Sequence, residues 1–225
     1  MASQIAIRPI SENPAASYHL IFYITGNPGL ISYYDAFLKT LHQLVTEGSG
    51  TLESEVIHVF GQSLDGFGDN DGPLQTTGLP HTLEDQIVSR LQLLNEQRIP
   101  AGPRQGQHYD SIILMGHSVG TYILLELIQR LRKAKSSSSV NVTGGILLMP
   151  TVMGLAESPS GVKAAPLLRI SVLPRGLQLV AKVLLWPIPT PALKWLVCKV
   201  MSMPDDAAAV TTRFLKSNMG VWQAL

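Results

Sequence analysis

The chain has 225 residues and a formal net charge of +1, with 45% hydrophobic and 15% charged residues. This length is sufficient for one domain with a sizeable core, and the near-neutral charge argues against a nucleic-acid partner. The single cysteine, Cys198, excludes an internal disulfide and is typical of a reducing compartment. The histidines and the cysteine show no metal-ligand spacing, so the sequence predicts no metal or cofactor.

Strand and helix patterns alternate from Tyr18 to Pro150. Runs rich in apolar, β-branched and aromatic residues predict four strands, at Tyr18–Ile24, Glu55–Phe60, Ser111–Met115 and Ile146–Met149. Apolar residues at helical spacing predict helices between them, over 33–45, from Thr82 onward and over Val119–Lys133. This alternation predicts an α/β fold with a mostly parallel sheet and helices on both of its faces.

The excess of apolar residues lies between Ala164 and Met203. Two apolar stretches, Leu177–Trp186 and Leu193–Met203, flank a turn that is rich in proline. Neither stretch has the roughly 20 uninterrupted apolar residues of a membrane-spanning helix. The segment is therefore predicted to be a helical insertion or cap, followed by a last helix over about 207–225 that Asp205 and Asp206 cap.

The residues Gly116-His117-Ser118-Val119-Gly120 match the pattern G-x-S-x-G. The pattern alone is weak, but here it directly follows a buried strand and opens an amphipathic helix. That is the strand–turn–helix context of the nucleophile elbow of α/β-hydrolases, in which a strained serine projects its hydroxyl over the sheet edge. The sequence therefore predicts Ser118 as a nucleophile and requires small residues, Gly116 and Gly120, on either side of the turn.

Two backbone N–H groups are the predicted donors to an oxyanion. Val119 begins the helix, so its N–H has no partner within the helix and lies at the positive end of the helix dipole. The first predicted strand ends in Thr25-Gly26-Asn27-Pro28-Gly29. Asn27 supplies the second predicted donor, because Pro28 has no N–H. A glycine-rich turn without a catalytic role is the alternative interpretation.

The base and the acid that a nucleophilic serine needs are harder to place. In this fold they follow the serine in the order acid, then histidine. No histidine follows Ser118 in the sequence. The six histidines are His19, His42, His58, His81, His108 and His117. Candidate acids after the serine are Glu126, Glu157, Asp205 and Asp206. The His117 side chain is expected to point away from the Ser118 hydroxyl and to pack within the elbow.

Several short motifs together resemble the lipid droplet-associated hydrolases. They are Ile24-Thr25-Gly26-Asn27-Pro28-Gly29, Tyr33-Tyr34, Met115 to Tyr122 around the elbow, Met149-Pro150-Thr151 and Glu157-Ser158-Pro159-Ser160-Gly161. The resemblance covers most of the stretch from Tyr18 to Gly161. It implies an α/β-hydrolase that acts in lipid-ester storage or turnover on the cytosolic face of lipid droplets and the endoplasmic reticulum membrane.

The resemblance also sharpens the expected domain organisation. We expect an N-terminal tail (1–17), an α/β-hydrolase core (18–162), an apolar segment (163–204) and a helix (205–225) that leads to a missing C-terminal part with the acid and histidine. The segment Ala164–Met203 is then predicted to be a hairpin on a lipid monolayer, with an ordinary lid over the active site as the alternative.

Three functions remain open from the sequence. The first is a serine hydrolase that cleaves lipid esters with Ser118 as nucleophile. The second is a catalytically inactive droplet-surface protein that lacks the base of the triad. The third is an acyltransferase or thioesterase that uses the same elbow, since the sequence does not distinguish acyl acceptors.

Overall fold

The computed structural model describes residues 3–48, 54–67, 80–134, 140–154, 157–158, 161–162, 176, 179–180, 183–185, 187–217 and 223–224. The chain divides into two compact units. The sheet unit comprises residues 2–64 and 82–151, and the C-terminal unit comprises residues 65–81 and 152–225. Parts of the predicted loop Gly61–Pro80, the serine run Ser136–Ser139 and much of Ala164–Met203 lie outside the described residues.

The sheet unit is built on five strands in the order β1-β3-β2-β4-β5. They are β1 (Gln4–Ile7), β2 (Ser17–Ile24), β3 (Glu55–Gln62), β4 (Ser111–His117) and β5 (Val142–Leu148). Strand β1 pairs antiparallel to β3, and the other neighbours pair parallel. The four strands predicted from the sequence are confirmed. Strand β5 begins at Val142, before the predicted start at Ile146. The sequence did not predict its first half, because Gly144 and Gly145 interrupt the apolar pattern of a strand.

Helices cover both faces of this sheet, as predicted. They are α1 (Asp35–Gly48), α2 (Leu83–Asn95) and α3 (Val119–Lys133). Leu38 of α1 packs against Tyr23 and Met115 on one face. Gly145 faces the side chain of Leu124 of α3, and it pairs with Leu114, the neighbour of Met115. Because successive strand residues point to opposite faces, α1 and α3 lie on opposite sides of the sheet.

Strand β1 was missed by sequence reasoning, which assigned residues 1–17 to a tail. Its four residues pair with β3 from Gln4 opposite Gln62 to Ile7 opposite Val59. The strand is short and at the edge of the sheet, so its pattern is too brief to separate from an irregular polar segment. Ile5 is nevertheless buried in the core beside Ile21 and Val59.

In the C-terminal unit, helices α4 (Thr190–Met201) and α5 (Asp205–Lys216) pack against each other. Leu193 and Val197 of α4 and Ala208 of α5 are buried together, and Lys194 donates a hydrogen bond of 2.5 Å to Asp205. The predicted cap is wrong, because Pro204 holds the cap position and both aspartates lie in the first turn of α5. There their charge still complements the helix dipole.

The predicted apolar hairpin is only partly described. Its second stretch contains α4, whereas most residues of 163–186 lie outside the described part of the chain. Among the residues that the structure does describe, no helix combines the length and the apolarity that crossing a bilayer requires. The expected domain boundary near residue 162 and the monolayer hairpin therefore remain predictions.

Candidate active site

Ser118 lies between the end of β4 at His117 and the start of α3 at Val119. Its backbone has φ 51° and ψ −122°, a region in which a side chain with a Cβ is strained. Ser118 N–H donates to the Leu148 carbonyl at 3.0 Å, and Thr121 N–H donates to the Ser118 carbonyl at 2.9 Å. These bonds hold the strained turn in place, at the position that the sequence predicted.

The two predicted elbow glycines lie where a side chain would not fit. A methyl group on Gly116 would lie 2.5 Å from the Gly120 carbonyl oxygen. A methyl group on Gly120 would lie 2.5 Å from the Thr25 carbonyl oxygen, at the end of β2. Both obstacles are backbone atoms, so they cannot rotate away as a side chain would. The glycines therefore allow the elbow to close and the helix to approach the sheet.

The hydroxyl of Ser118 contacts the hydroxyl of Thr151, with the two oxygen atoms 3.3 Å apart. Thr151 follows β5, and β5 pairs in parallel with β4, which brings both residues to the same end of the sheet. A threonine hydroxyl can orient the serine hydroxyl, but it is not a base at neutral pH. Sequence reasoning included Thr151 only as part of the family resemblance, because a contact between two strands has no local signal.

The loop that follows β2 lies directly against the elbow. A methyl group on Gly26 would lie 2.7 Å from His117 Nδ1 and 3.1 Å from Ser118 Cβ. Thr25 is buried, and Asn27 is exposed. The structure thus brings the segment with the predicted donor Asn27 next to Ser118. The assignment of Asn27 and Val119 as oxyanion donors remains a prediction.

His117 forms a hydrogen bond with Tyr34, between Nδ1 and the phenol oxygen at 2.9 Å. The same phenol oxygen accepts a hydrogen bond from Gly26 N–H at 3.2 Å. Burial raises the pKa of Tyr34, so the phenol keeps its proton at neutral pH. Sequence reasoning expected a packing role for His117 and did not find Tyr34 as its partner.

Three of the four candidate acids have carboxylate partners other than the Ser118 site, and for Glu157 the structure shows a backbone bond. Glu126 lies within α3 and forms an ion pair with Arg130, with 3.7 Å between the charged atoms. Asp205 accepts from Lys194, and Asp206 accepts from the N–H of Ala207 at 2.9 Å. The N–H of Glu157 donates to the carbonyl of Gly154 at 3.1 Å. None of these contacts assigns an acid to Ser118.

A serine, a histidine and a carboxylate are in contact at the amino ends of the strands, away from Ser118. Ser111 Oγ is 2.6 Å from His19 Nδ1, and His19 Nε2 is hydrogen-bonded to Glu55. Ser111 lies within the strand ladder opposite His19, whereas Ser118 precedes a helix whose first N–H groups point at it. Ser111 therefore lacks the oxyanion geometry of the elbow, and it provides a matched control for Ser118.

A strained serine between a buried parallel strand and a helix defines this protein as an α/β-hydrolase by fold. A solved structure of an enantioselective mutant of an Aspergillus niger epoxide hydrolase is similar to it, with a TM-score of 0.51, 17% identity, and coverage of 98% of this chain and 54% of that one. At this identity the likeness shows the fold alone.

The chain belongs to the lipid droplet-associated hydrolase family, whose sequence profile matches residues 17–225. The lipid droplet-associated hydrolase of Rattus norvegicus is 32% identical over 151 residues, which are 67% of this chain and 43% of that protein. The Homo sapiens protein of the same name is 28% identical over 158 residues, which are 66% of this chain and 42% of that protein. The match thus spans less than half the length of these relatives.

Proposed function

We propose that this protein is a serine hydrolase of lipid esters and that Ser118 is its nucleophile. The observation that carries the proposal is the strained backbone of Ser118, with φ 51° at the junction of β4 and α3. Strain of this kind persists only where the surrounding structure enforces it, and it is concentrated at functional sites. Here the close approach of Gly120 to β2 and the hydrogen bond from Ser118 N–H to Leu148 enforce it.

In the proposed reaction, Ser118 Oγ attacks the carbonyl carbon of an ester, and the hydroxyl proton passes to a base. The carbonyl oxygen becomes an oxyanion that accepts hydrogen bonds from Val119 N–H and Asn27 N–H. Collapse of this intermediate breaks the ester C–O bond, and the departing alkoxide takes up the proton. Water then hydrolyses the acyl-serine and restores the hydroxyl.

Among the described residues, the hydrogen-bond partner of Ser118 Oγ is the hydroxyl of Thr151. Because a threonine hydroxyl is not a base, its contact with Ser118 also fits a second candidate, a catalytically inactive protein of the droplet surface. An acyltransferase or thioesterase would use the same nucleophile and the same oxyanion donors, with a different acyl donor or acceptor.

An exposed apolar face of α4 supports attachment to lipid. Trp195 is 63% exposed and Val200 is 73% exposed, and the exposed Leu196 and Lys199 lie on the same side of the helix. Tryptophan and the stem of lysine are both favourable at the boundary between lipid and water. We therefore infer that the C-terminal unit binds the monolayer of lipid droplets, and that the endoplasmic reticulum membrane offers the same kind of surface.

Ester hydrolysis in the presence of added imidazole tests the enzymatic proposal. Because imidazole in solution can act as a general base, we expect the wild-type rate on p-nitrophenyl butyrate to rise in proportion to the imidazole concentration, above the rate of imidazole alone. General-base catalysis typically contributes about 10²- to 10⁴-fold. We expect Ser118→Ala to abolish this increment, and Ser111→Ala to retain it as the matched control. An equal rate for wild type and Ser118→Ala at every imidazole concentration would favour the inactive surface protein.

A further inference from the structure

Tyr34 connects two segments that meet at the candidate active site. It ends the 3₁₀ turn Ile31–Tyr34, which follows the Thr25–Gly29 loop and precedes α1. Its ring packs on Tyr23, with 4.9 Å between the ring centroids, and on His117, with 5.6 Å between them. These contacts fix the ring, so the phenol oxygen has a defined position between the loop and the elbow.

The phenol oxygen has one hydrogen-bond partner on each of the two segments. Gly26 N–H, at 3.2 Å, belongs to the residue before the predicted donor Asn27. His117 Nδ1, at 2.9 Å, belongs to the residue before Ser118. The phenol oxygen therefore joins Gly26, which precedes Asn27, to His117, which precedes Ser118. The Asn27 N–H and Ser118 must hold a fixed distance from each other if they are to bind an oxyanion.

We propose that Tyr34 is a positioning residue, whose hydroxyl fixes the Asn27 N–H relative to Ser118 by joining Gly26 to His117. This inference rests on the proposed function for its catalytic consequence, but the hydrogen-bonded bridge itself does not. It extends the site beyond the elbow and the loop to a residue that touches neither the substrate nor the reacting atoms.

A phenol can serve both bonds at once. Its oxygen accepts from Gly26 N–H, and its proton and its remaining lone pair can each bond to His117 Nδ1, depending on the tautomer of the ring. Burial raises the pKa of Tyr34, which keeps this donor proton in place across the neutral and mildly alkaline range.

The bridge matters because it attaches the loop to the elbow at Gly26, the residue next to Asn27. Gly26 has no side chain, since a methyl group there would meet His117 and Ser118. Its N–H is therefore the group through which the residue can bond to the phenol. Loss of the phenol oxygen would free the loop to shift, and a displacement of about 1 Å in a catalytic group can slow a reaction by about a hundredfold.

The test compares Tyr34→Phe with Tyr109→Phe in the 225-residue chain. Tyr109 is a matched control because its hydroxyl lies 2.9 Å from the Nδ1 of another histidine, His58, in the strand-end region away from the elbow. Two measurements are made on each variant. The first is NMR of the protein, with the ¹⁵N shifts of the His117 ring and the exchange rates of the Gly26 and Asn27 amides. The second is the rate at which a fluorophosphonate phosphonylates Ser118 in the presence of imidazole, with fluoride as the leaving group.

We expect Tyr34→Phe to change the ¹⁵N shift of His117 Nδ1 and to speed exchange of the Gly26 amide. We expect the maximal phosphonylation rate of Tyr34→Phe to fall about 10- to 100-fold without a change in reagent affinity. Tyr109→Phe should leave all of these values unchanged. Unchanged NMR signals in Tyr34→Phe would overturn the bridge. Altered NMR signals with an unchanged phosphonylation rate would overturn the positioning role.

If Ser118 does not react in wild type, the proposed function fails, while the NMR comparison still decides whether the bridge exists. The two failures are thus distinguishable.

Discussion

Replacing Gly120 with alanine is expected to destabilise the sheet unit and to stop reaction at Ser118. The new methyl group would lie 2.5 Å from the Thr25 carbonyl oxygen and would meet the Ile24 carbonyl as well. Both are backbone atoms of β2 and its extension, so relief requires α3 to move away from the sheet. Overpacking of this kind costs about 1–3 kcal/mol and occasionally more.

Packing and helix propensity predict opposite changes in the free energy of unfolding for Gly120→Ala. Gly120 lies in the first turn of α3, where alanine would otherwise stabilise the helix by about 1 kcal/mol. We expect chemical denaturation to show a loss of at least about 2 kcal/mol for Gly120→Ala. Gly144→Ala is the control, because a methyl group on Gly144 meets no atom within 4 Å. A Gly120→Ala protein as stable and reactive as wild type would refute the close approach of α3 to β2.

The double variant Trp195→Glu/Val200→Glu is expected to lose binding to lipid droplets. Both side chains project from the exposed face of α4, at 63% and 73% exposure, while the buried residues Leu193 and Val197 that pack α4 are unchanged. Burial of one large apolar side chain contributes about 1.5–3 kcal/mol. Loss of two such contributions corresponds to a reduction in affinity of at least about a hundredfold.

The measurement is flotation with triolein droplets coated by a phospholipid monolayer. Leu44→Glu is the matched control, since Leu44 of α1 is 62% exposed and belongs to the sheet unit. We expect the double variant to remain in the aqueous fraction and Leu44→Glu to float with the droplets as wild type does. Flotation of the double variant at the wild-type level would remove α4 from the lipid-binding surface.

Where local sequence determines the structure, the elbow could be predicted residue by residue. The apolar run before Gly116 can form only a buried strand, and the periodic run from Val119 to Lys133 can form only an amphipathic helix. The junction leaves one residue for the turn, and small neighbours on either side allow it to close. The start of α2 is also determined locally: the helix was predicted from Thr82 onward, and Thr82 Oγ1 accepts from Asp85 N–H at 3.2 Å as its cap.

Features that depend on residues distant in sequence could not be predicted in this way. Tyr34 and His117, Ser118 and Thr151, and His19 and Ser111 come together only because the parallel order of the strands places them there. Strand β1 likewise depends on pairing with β3, and its own four residues carry little signal. Sheet register, rather than composition, decides such contacts.

Mapping the site of fluorophosphonate attachment is the most direct test of Ser118 as the nucleophile. The 225-residue chain is treated with the reagent in the presence of imidazole, digested, and examined by peptide mass spectrometry. Trypsin leaves Ser111 and Ser118 in one peptide, because no lysine or arginine lies between them, so fragment ions locate the attachment site within it. The strained elbow, which lies at the N–H groups of the first turn of α3, predicts attachment at Ser118 and none at Ser111. Attachment at Ser111, or no attachment at Ser118 while the protein remains folded, would contradict the assignment.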